Sequence, residues 1–269
     1  MISEEIYKSK FYINEQNGVP LLKCLGIPFP HGFSTRLGGV SCEAGYESLD
    51  LGARGEDDEI SENRRRFVLA IGSEKGSLIF AKQIHSSDVQ YVTEEDFGKS
   101  FECDAFVTDR AGVLIAVKTA DCVPILFCDS KKRIVGAAHA GWRGTASGVA
   151  ARCLEKMISL GASSENVSVA IGQRIGVCCY EVDDAFVEAV SGSPFASLCL
   201  SKIFPVGEKF RADLGNMNKE ILLSLGVKEE NIYLSGFCTS CANELFFSHR
   251  RGGGRRGLMM SGIFIPKGI

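Results

Sequence analysis

Short, uninterrupted apolar runs recur along the chain, and they limit its possible folds more than any other feature. They lie at residues 78–80, 105–108, 113–117, 125–128, 134–138, 167–171, 232–234 and 259–265. Most are bounded by glycine, aspartate or serine, a pattern typical of strands that are buried on both faces. We therefore predict β-strands at these positions.

Four other segments place apolar residues at helical spacing. The clearest, residues 145–160, repeats them every three or four positions and is followed by Gly161 as a stop signal. The other three predicted helices cover residues 56–68, 183–190 and 214–225. Strands interleaved with helices predict an α/β protein. Since no linker, repeat or shift in composition divides the sequence, we expect a single domain over residues 1–269.

Charge and hydropathy exclude several classes of partner. The net charge of −3 provides no broad attraction to nucleic acid or to an anionic membrane surface. No apolar run approaches the length of about 20 residues that crosses a bilayer. The first residues, Met1 to Glu5, carry acids where an export signal carries bases. We expect a cytoplasmic monomer that binds neither nucleic acid nor membrane.

The eleven cysteines are odd in number and lie scattered from Cys24 to Cys241. Without an export signal, such cysteines are expected to be reduced thiols, mostly in the core, rather than a disulfide framework. Cys238 and Cys241 have the CxxC spacing, but no second pair lies near them in sequence, as a structural zinc site would require. We predict that this pair and the adjacent Cys178 and Cys179 are inert, buried thiols.

Three residues with side chains that can bind a metal follow predicted strands. They are His85, Cys122 and His139, and each lies in a turn rich in Gly, Asp, Ser or Arg. Sites in open α/β sheets form at the ends of strands. Two imidazoles and one thiolate would leave one position open on a zinc ion, as catalytic zinc sites do. The alternative that each side chain is only packed or hydrogen-bonded stays open. The numbers of residues between the three match no compact zinc motif.

Neighbouring polar residues suggest supporting roles. Asp121 and Asp88 are candidates for orienting an imidazole, since a histidine ligand normally donates its other N–H to a carboxylate or carbonyl. Arg143 lies at a predicted helix start, where an anion such as phosphate is favoured, although a surface or ion-paired arginine is equally compatible. The adjacent Trp142 is predicted to be a packing residue. The arginine-rich run at 250–256 is either a solvated turn or an ordered loop that presents an arginine to an anion.

Six stretches, spread in order over nearly the whole chain, carry distinctive motifs. They are residues 32–36 with 38–41, 83–85, 119–124, 139–144, 179–182 and 246–256. Here the chain resembles the laccase-domain family, also called multicopper-polyphenol-oxidase-like. Its bacterial members include peptidoglycan editing factors, and its characterised members are purine nucleoside phosphorylases. The two central motifs, Ala-Asp-Cys-x-Pro and His-Ala-Gly-Trp-Arg-Gly, are highly specific.

The resemblance implies a single-domain, layered α/β/β/α sandwich with mixed sheets. It implies a zinc site on the residues matching His85, Cys122 and His139, with copper as the other candidate metal. It also implies phosphorolysis of adenosine, inosine and methylthioadenosine to the free base and sugar 1-phosphate, together with deamination of adenosine. Three stretches depart from the family pattern, at residues 48–51, 172–175 and 247–251. These departures bear on substrate preference rather than on the metal ligands.

The hypothesis that follows assigns three roles. His85, Cys122 and His139 hold the metal, Asp121 moves protons, and phosphate is held by arginines, with Arg36, Arg143 and Arg250 as candidates.

Three rival interpretations stay open. One is a copper oxidase acting on phenols, for which the two remaining histidines are too few to complete a multicopper cluster. Another is a thiol hydrolase that edits cell-wall precursors, with Cys122 activated by His139 or His85. The third is a non-catalytic binding role.

Overall fold

Two six-stranded mixed sheets form the centre of the fold in the computed structural model, which describes residues 10–53, 55–74 and 76–268. The first sheet has the order β1 (Phe11–Gln16), β2 (Val19–Cys24), β3 (His31–Ser34), β15 (Met259–Ile263), β7 (Leu114–Thr119) and β4 (Leu78–Ile79). The second has the order β14 (Ile232–Leu234), β10 (Ser168–Ile171), β8 (Val123–Asp129), β9 (Ile134–Ala140), β6 (Ala105–Thr108) and β5 (Val89–Tyr91). A small third sheet joins β11 (Glu181–Val182), β13 (Lys209–Ala212) and β12 (Ile203–Val206).

Helices cover the outer faces of the two large sheets. The helices are α1 (Asp58–Ile71), α2 (Trp142–Ala146), α3 (Val149–Ser159), α4 (Asp184–Ser191), α5 (Ala196–Leu200), α6 (Leu214–Ser224) and α7 (His249–Gly252). Helix α1 packs on the first sheet, while α3 and α6 share one apolar core with the second. The order of layers is therefore helix, sheet, sheet, helix, which confirms the predicted α/β/β/α sandwich.

Strand β8 shows why the predicted strands are continuously apolar. Ile125 and Phe127 belong to the core under the helices, whereas Leu126 and Cys128 belong to the core between the sheets. Because successive side chains of a strand point to opposite faces, both sets must be apolar when both faces are covered. All seven residues of this strand are buried.

The largest error in the predicted elements concerns the helix at residues 145–160. The chain forms two helices there, α2 and α3, separated by Gly148 in a left-handed conformation with φ of 80°. A side chain on Gly148 would collide with the ring of Phe195, so this break is also fixed by packing. Strands β1 and β2 were missed because polar residues and a proline interrupt their apolar runs, although they form a hairpin around Asn17 and Gly18.

No helix within residues 10–53, 55–74 and 76–268 has both the length and the apolar character needed to span a bilayer. Residues 1–5, whose acids Glu4 and Glu5 led to the expectation of no export signal, lie outside the described residues.

Candidate metal centre

The structure brings together the three residues that the sequence singled out as ligands. The ligand atoms of His85, Cys122 and His139 all lie within 4.8 Å of one another. The two imidazole rings meet edge to face, with centroids 4.9 Å apart. His139 is buried, Cys122 is half-buried and His85 is exposed, so the group faces outward on one side. Such a set can hold one metal ion and leave a position open.

The two sheets place these side chains by their connections. Cys122 lies in the turn between β7 of the first sheet and β8 of the second. Strand β9 pairs antiparallel with β8, with His139 opposite Pro124, so the end of β9 lies beside this turn. Gly141 follows directly, and a Cβ there would lie 2.7 Å from His85 Nδ1 and 3.3 Å from the Cys122 sulfur. The lack of a side chain at Gly141 therefore leaves room for the ligands to meet.

Asp104 organises the centre, and it was not among the predicted site residues. Its fully buried carboxylate accepts the backbone N–H groups of Ile84, His85 and Ser86 and the Ser86 hydroxyl, at 2.7–3.2 Å. The same carboxylate lies 2.8 Å from His139 Nδ1. A carboxylate surrounded by donors can only accept, so Nδ1 of His139 carries a proton and Nε2 is the nitrogen left to face a metal.

The pKa values of the two ligand histidines move in opposite directions. Burial lowers the pKa of His139, but the neighbouring Cys122 and the Asp104 carboxylate outweigh it and raise the pKa to about 9. Burial and the neighbouring His139 lower the pKa of His85. In Asp104, hydrogen bonds from His139 and Ser86 outweigh burial and lower the pKa to about 2. This carboxylate is therefore a fixed negative charge beneath the ligands.

A physical reason explains why the sequence did not reveal Asp104. It lies immediately before β6, whereas site residues were predicted at the carboxyl ends of strands. Because β6 runs antiparallel to β9, with Ala105 opposite Ala138, its start lies next to the end of β9. Asp121 and Asp88 were the candidates for orienting an imidazole, and the structure shows Asp104 in that position at His139.

Asp121 lies beside Cys122 but points to a different loop. Its carboxylate accepts the Thr239 hydroxyl at 2.6 Å and the backbone N–H of Arg250 at 2.7 Å. Both oxygens are thus engaged, and Asp121 adopts a positive φ of 90° to make these contacts. The side chain ties the arginine-rich segment to the metal-binding turn.

A cavity of about 560 Å³ opens above the three ligands. Its volume is within the usual range for a small-molecule site. Five cationic side chains line it, against the single carboxylate of Asp121; they are Lys82, Lys118, Arg143, Arg250 and Arg256. This excess of positive charge favours an anionic ligand.

The three arginines predicted to bind phosphate differ in position. Arg143 lines the cavity, with its guanidinium 4.2 Å from the Trp142 ring centroid. Arg250 also lines it, while its guanidinium donates to the carbonyls of Cys179 and Glu181. Arg36 does not line this cavity, because its guanidinium donates to carbonyl oxygens of other loops and stacks on Phe247.

Trp142 combines packing with a place in the cavity wall. It is half-buried, and its ring lies 5.4 Å from that of Phe186. The helix that it begins, α2, has only five residues, so the expected contribution of a helix dipole near Arg143 is small.

Only one of the departures from the family pattern reaches the cavity. His249 lines it, whereas Gln173 and Arg174 are buried and donate to the carbonyls of Ser34 and Ser235. Asp50 accepts backbone N–H groups, including that of Leu258. The side chains at residues 50, 173 and 174 therefore support loops, and His249 is the one that can contact a ligand.

The remaining histidines do not form a multicopper cluster with the first two. His31 is buried against the backbone, with Nε2 accepting from Cys24 N–H and Nδ1 near Phe29 O. Among the residues that the structure describes, the only groups arranged to hold a metal are the present centre and a set of four cysteines.

Comparison with known proteins agrees with this architecture. Residues 30–266 match the family model described as "Multi-copper polyphenol oxidoreductase laccase". The chain belongs to this family. The purine nucleoside phosphorylase YlmD of Geobacillus stearothermophilus is 37% identical, over 93% of this chain and 96% of that protein. Adenosine deaminase RL5, from an unknown prokaryotic organism, is 34% identical, over 86% and 92%.

Solved structures of family members share the fold. The crystal structure of the Bacillus licheniformis hypothetical protein YfiH superposes with a TM-score of 0.87 at 31% identity, covering 94% of this chain and 98% of that one. YlmD of Geobacillus stearothermophilus superposes with a TM-score of 0.85 at 33% identity, covering 96% and 99%.

Proposed function

We propose that this protein is a zinc-dependent purine nucleoside phosphorylase that also deaminates adenosine. The observation that carries the proposal is an open set of two imidazoles and one thiolate beneath a cationic cavity. Relatives named as purine nucleoside phosphorylases and one named as an adenosine deaminase support the same assignment. Adenosine, inosine and methylthioadenosine are the proposed nucleoside substrates, with phosphate as the second substrate.

The donor set fits zinc because imidazole nitrogen and thiolate sulfur are its preferred ligands, and three of them leave one position open. When bound, zinc supplies Lewis acidity to an oxygen atom of water or substrate. Asp104 fixes the protonated nitrogen of His139 and so presents the other nitrogen to the metal. The turn at Gly141 keeps the ligands close to one another.

In phosphorolysis, a phosphate oxygen bonds to the anomeric carbon of the sugar while the bond from that carbon to the base nitrogen breaks. The base leaves with the electron pair and takes up a proton, and the sugar leaves as its 1-phosphate. We assign the binding of phosphate to Arg143 and Arg250, whose side chains line the cavity. Fixed positive charges there hold the anion against the sugar and offset charge that develops in the transition state.

Asp121 then has a positioning role in this scheme. By accepting the backbone N–H of Arg250, its carboxylate holds the start of helix α7 against the metal-binding turn. This contact keeps the Arg250 side chain at the cavity wall. We assign Asp121 this role in place of the proton transfer expected from the sequence, since both carboxylate oxygens already accept hydrogen bonds.

Product analysis tests the proposal directly. Zinc-loaded protein is incubated with adenosine with and without phosphate, and the products are separated by chromatography. We expect adenine and ribose 1-phosphate only when phosphate is present, and inosine in both cases. If neither adenine, hypoxanthine nor inosine forms, the proposed function is wrong.

A second candidate, a thiol hydrolase, is favoured by one contact. The Cys122 sulfur and a ring nitrogen of His139 lie within 4.8 Å of each other, as a nucleophile and its base would. Such an enzyme would keep its activity after chelation and lose it with iodoacetamide, with label on Cys122. A zinc enzyme would lose activity on chelation and regain it when zinc is restored.

A further inference from the structure

Four cysteine sulfurs gather at a second place, outside the cavity. Cys178 and Cys179 follow β10, and Cys238 and Cys241 follow β14. All four sulfur atoms lie within 4.8 Å of one another. The two pairs are about sixty residues apart in sequence, but β10 and β14 are adjacent parallel strands whose ends lie side by side. The cluster arises from this pairing.

This arrangement corrects the sequence-based prediction of buried, inert thiols. Cys178 and Cys241 are exposed, and Cys179 and Cys238 are half-buried. The second pair that a structural zinc site requires was present, but it was far away in sequence. Because parallel neighbours need a long crossover between them, their end loops meet only in the folded chain.

The spacing of the sulfurs fits a single tetrahedral ion. The Cys241 sulfur lies 3.7 Å from that of Cys178 and 3.4 Å from that of Cys179. Four sulfurs bound to one zinc at about 2.3 Å lie about 3.8 Å apart. A disulfide would bring two sulfurs to about 2.05 Å, and all four cysteines are free. An iron–sulfur cluster separates its cysteines further, since they bind different iron atoms.

The backbone also favours negative charge on one of the four sulfurs, that of Cys238. The N–H of Gly176 donates to the Cys238 sulfur at 3.2 Å, and the N–H of Cys241 is directed at the same atom. Hydrogen bonds to a charged acceptor are the stronger ones, so these amides stabilise a sulfur that carries negative charge. In contrast to the cavity centre, no imidazole takes part and all four positions of a tetrahedron are filled.

We propose that Cys178, Cys179, Cys238 and Cys241 bind a second, structural zinc ion. The site joins the loop after β10 to the loop after β14. The first loop carries Tyr180, which lines the cavity, and Arg250 donates to the carbonyl of Cys179.

The second loop is tied to the cavity from the other side. Its Thr239 donates to Asp121, and the Arg251 guanidinium donates to the carbonyls of Thr239 and Ser240. The zinc therefore fixes the cavity wall without contacting substrate. The inference does not rest on the proposed function.

Zinc content and X-ray absorption test the proposal. Reduced, zinc-loaded protein is washed free of loose metal and analysed for bound zinc per chain. We expect two zinc ions in wild type, one in Cys241→Ser, and two in the matched control Cys42→Ser, which changes an exposed cysteine outside both sites. In Cys122→Ser, which leaves the cluster intact, we expect a zinc whose absorption spectrum shows four sulfur ligands at about 2.3 Å.

Cys122→Ser keeps the test decisive if Cys241→Ser does not fold. The proposal is overturned if folded Cys122→Ser holds no zinc, if its zinc has nitrogen or oxygen ligands, or if iron takes its place. Mass spectrometry that finds the four cysteines joined as disulfides would overturn it as well. Two zinc ions without phosphorolysis would refute the proposed function and support this inference. Phosphorolysis by a protein whose four-cysteine cluster holds no zinc would support the proposed function and refute this inference.

Discussion

The two sulfur-containing centres differ in what surrounds the same kind of donor atom. The cavity centre has one sulfur and two imidazole nitrogens, and a buried carboxylate holds one imidazole in a single orientation. The cluster after β10 and β14 has four sulfurs near the surface, supported by backbone amides. An incomplete shell that faces a cavity can exchange a ligand, whereas a complete shell can only crosslink the chain. The comparison therefore distinguishes a centre suited to catalysis from one suited to stabilising loops.

The arginines near the two centres also differ in what they contact. Arg143, Arg250 and Arg256 line the cavity above the first centre. Around the second, arginines act on the backbone, as Arg251 does when it donates to the carbonyls of Thr239 and Ser240. Mobile anions are therefore attracted to the first centre, while the second stabilises the loops that carry part of the first centre's wall.

The largest difference is expected in turnover. Cys122→Ser removes a ligand of the open centre and is expected to lower kcat/KM for phosphorolysis by about a thousandfold, the effect of losing several kcal/mol of charge stabilisation. Cys241→Ser is expected to lower it by about tenfold at most, because it acts only through loop position. Steady-state kinetics on both, with Cys42→Ser as control, makes the measurement. Equal losses in the two variants would erase the distinction between the centres.

His31, a buried histidine outside both centres, is expected to make the free energy of unfolding depend on pH, and it can be compared with the buried His139. Burial lowers the pKa of His31 to about 4, and no carboxylate in the described part of the chain offsets it as Asp104 does for His139. The unfolded chain has a histidine pKa of about 6.5, so it binds the proton first as pH falls. The stabilisation from neutral His31 is therefore complete above pH 6.5 and is lost between 6.5 and 4, amounting to about 3 kcal/mol.

Urea unfolding from pH 7 to pH 4.5 checks this expectation. His31→Gln should show a shallower loss of unfolding free energy than wild type over this range. A wild-type slope in His31→Gln would mean that the buried ring does not resist protonation.

The family resemblance implied the layers, and the sequence singled out His85, Cys122 and His139, which the structure brings together. Other parts of the site could not be predicted, for physical reasons. His139 and Cys122 flank buried strands, so their places follow from local pattern. Asp104 could not be found in this way, because its contact with His139 depends on the antiparallel pairing of β6 with β9. The four-cysteine cluster likewise depends on which strands are neighbours. Local periodicity predicts strands, but it does not predict their order in a sheet.

The next effect in size concerns metal affinity. Asp104→Asn replaces the carboxylate that accepts from His139 with a neutral amide. We expect zinc affinity at the cavity centre to fall by about 10- to 100-fold, as is usual when a hydrogen-bond partner of a metal ligand is lost. Competition with a coloured chelator measures the affinity. Asp88→Asn is the matched control, since Asp88 is exposed. Zinc at the four-cysteine cluster should be retained, and its loss would show that Asp104 supports the whole fold rather than one centre.

The smallest expected effect tests whether the cations of the cavity serve phosphate. Arg143 is exposed, and no hydrogen bond from its guanidinium is found within the described residues, so the side chain is available to an anion. Arg143→Gln should raise the KM for phosphate about tenfold, which corresponds to one charge-assisted hydrogen bond partly screened by water. The KM for the nucleoside and the zinc content should change little. Arg152→Gln, an exposed arginine on α3 outside the cavity, is the matched control. If both variants bind phosphate as wild type does, the anion is held elsewhere, and Arg250 and Arg256 become the residues to change next, because they line the same cavity.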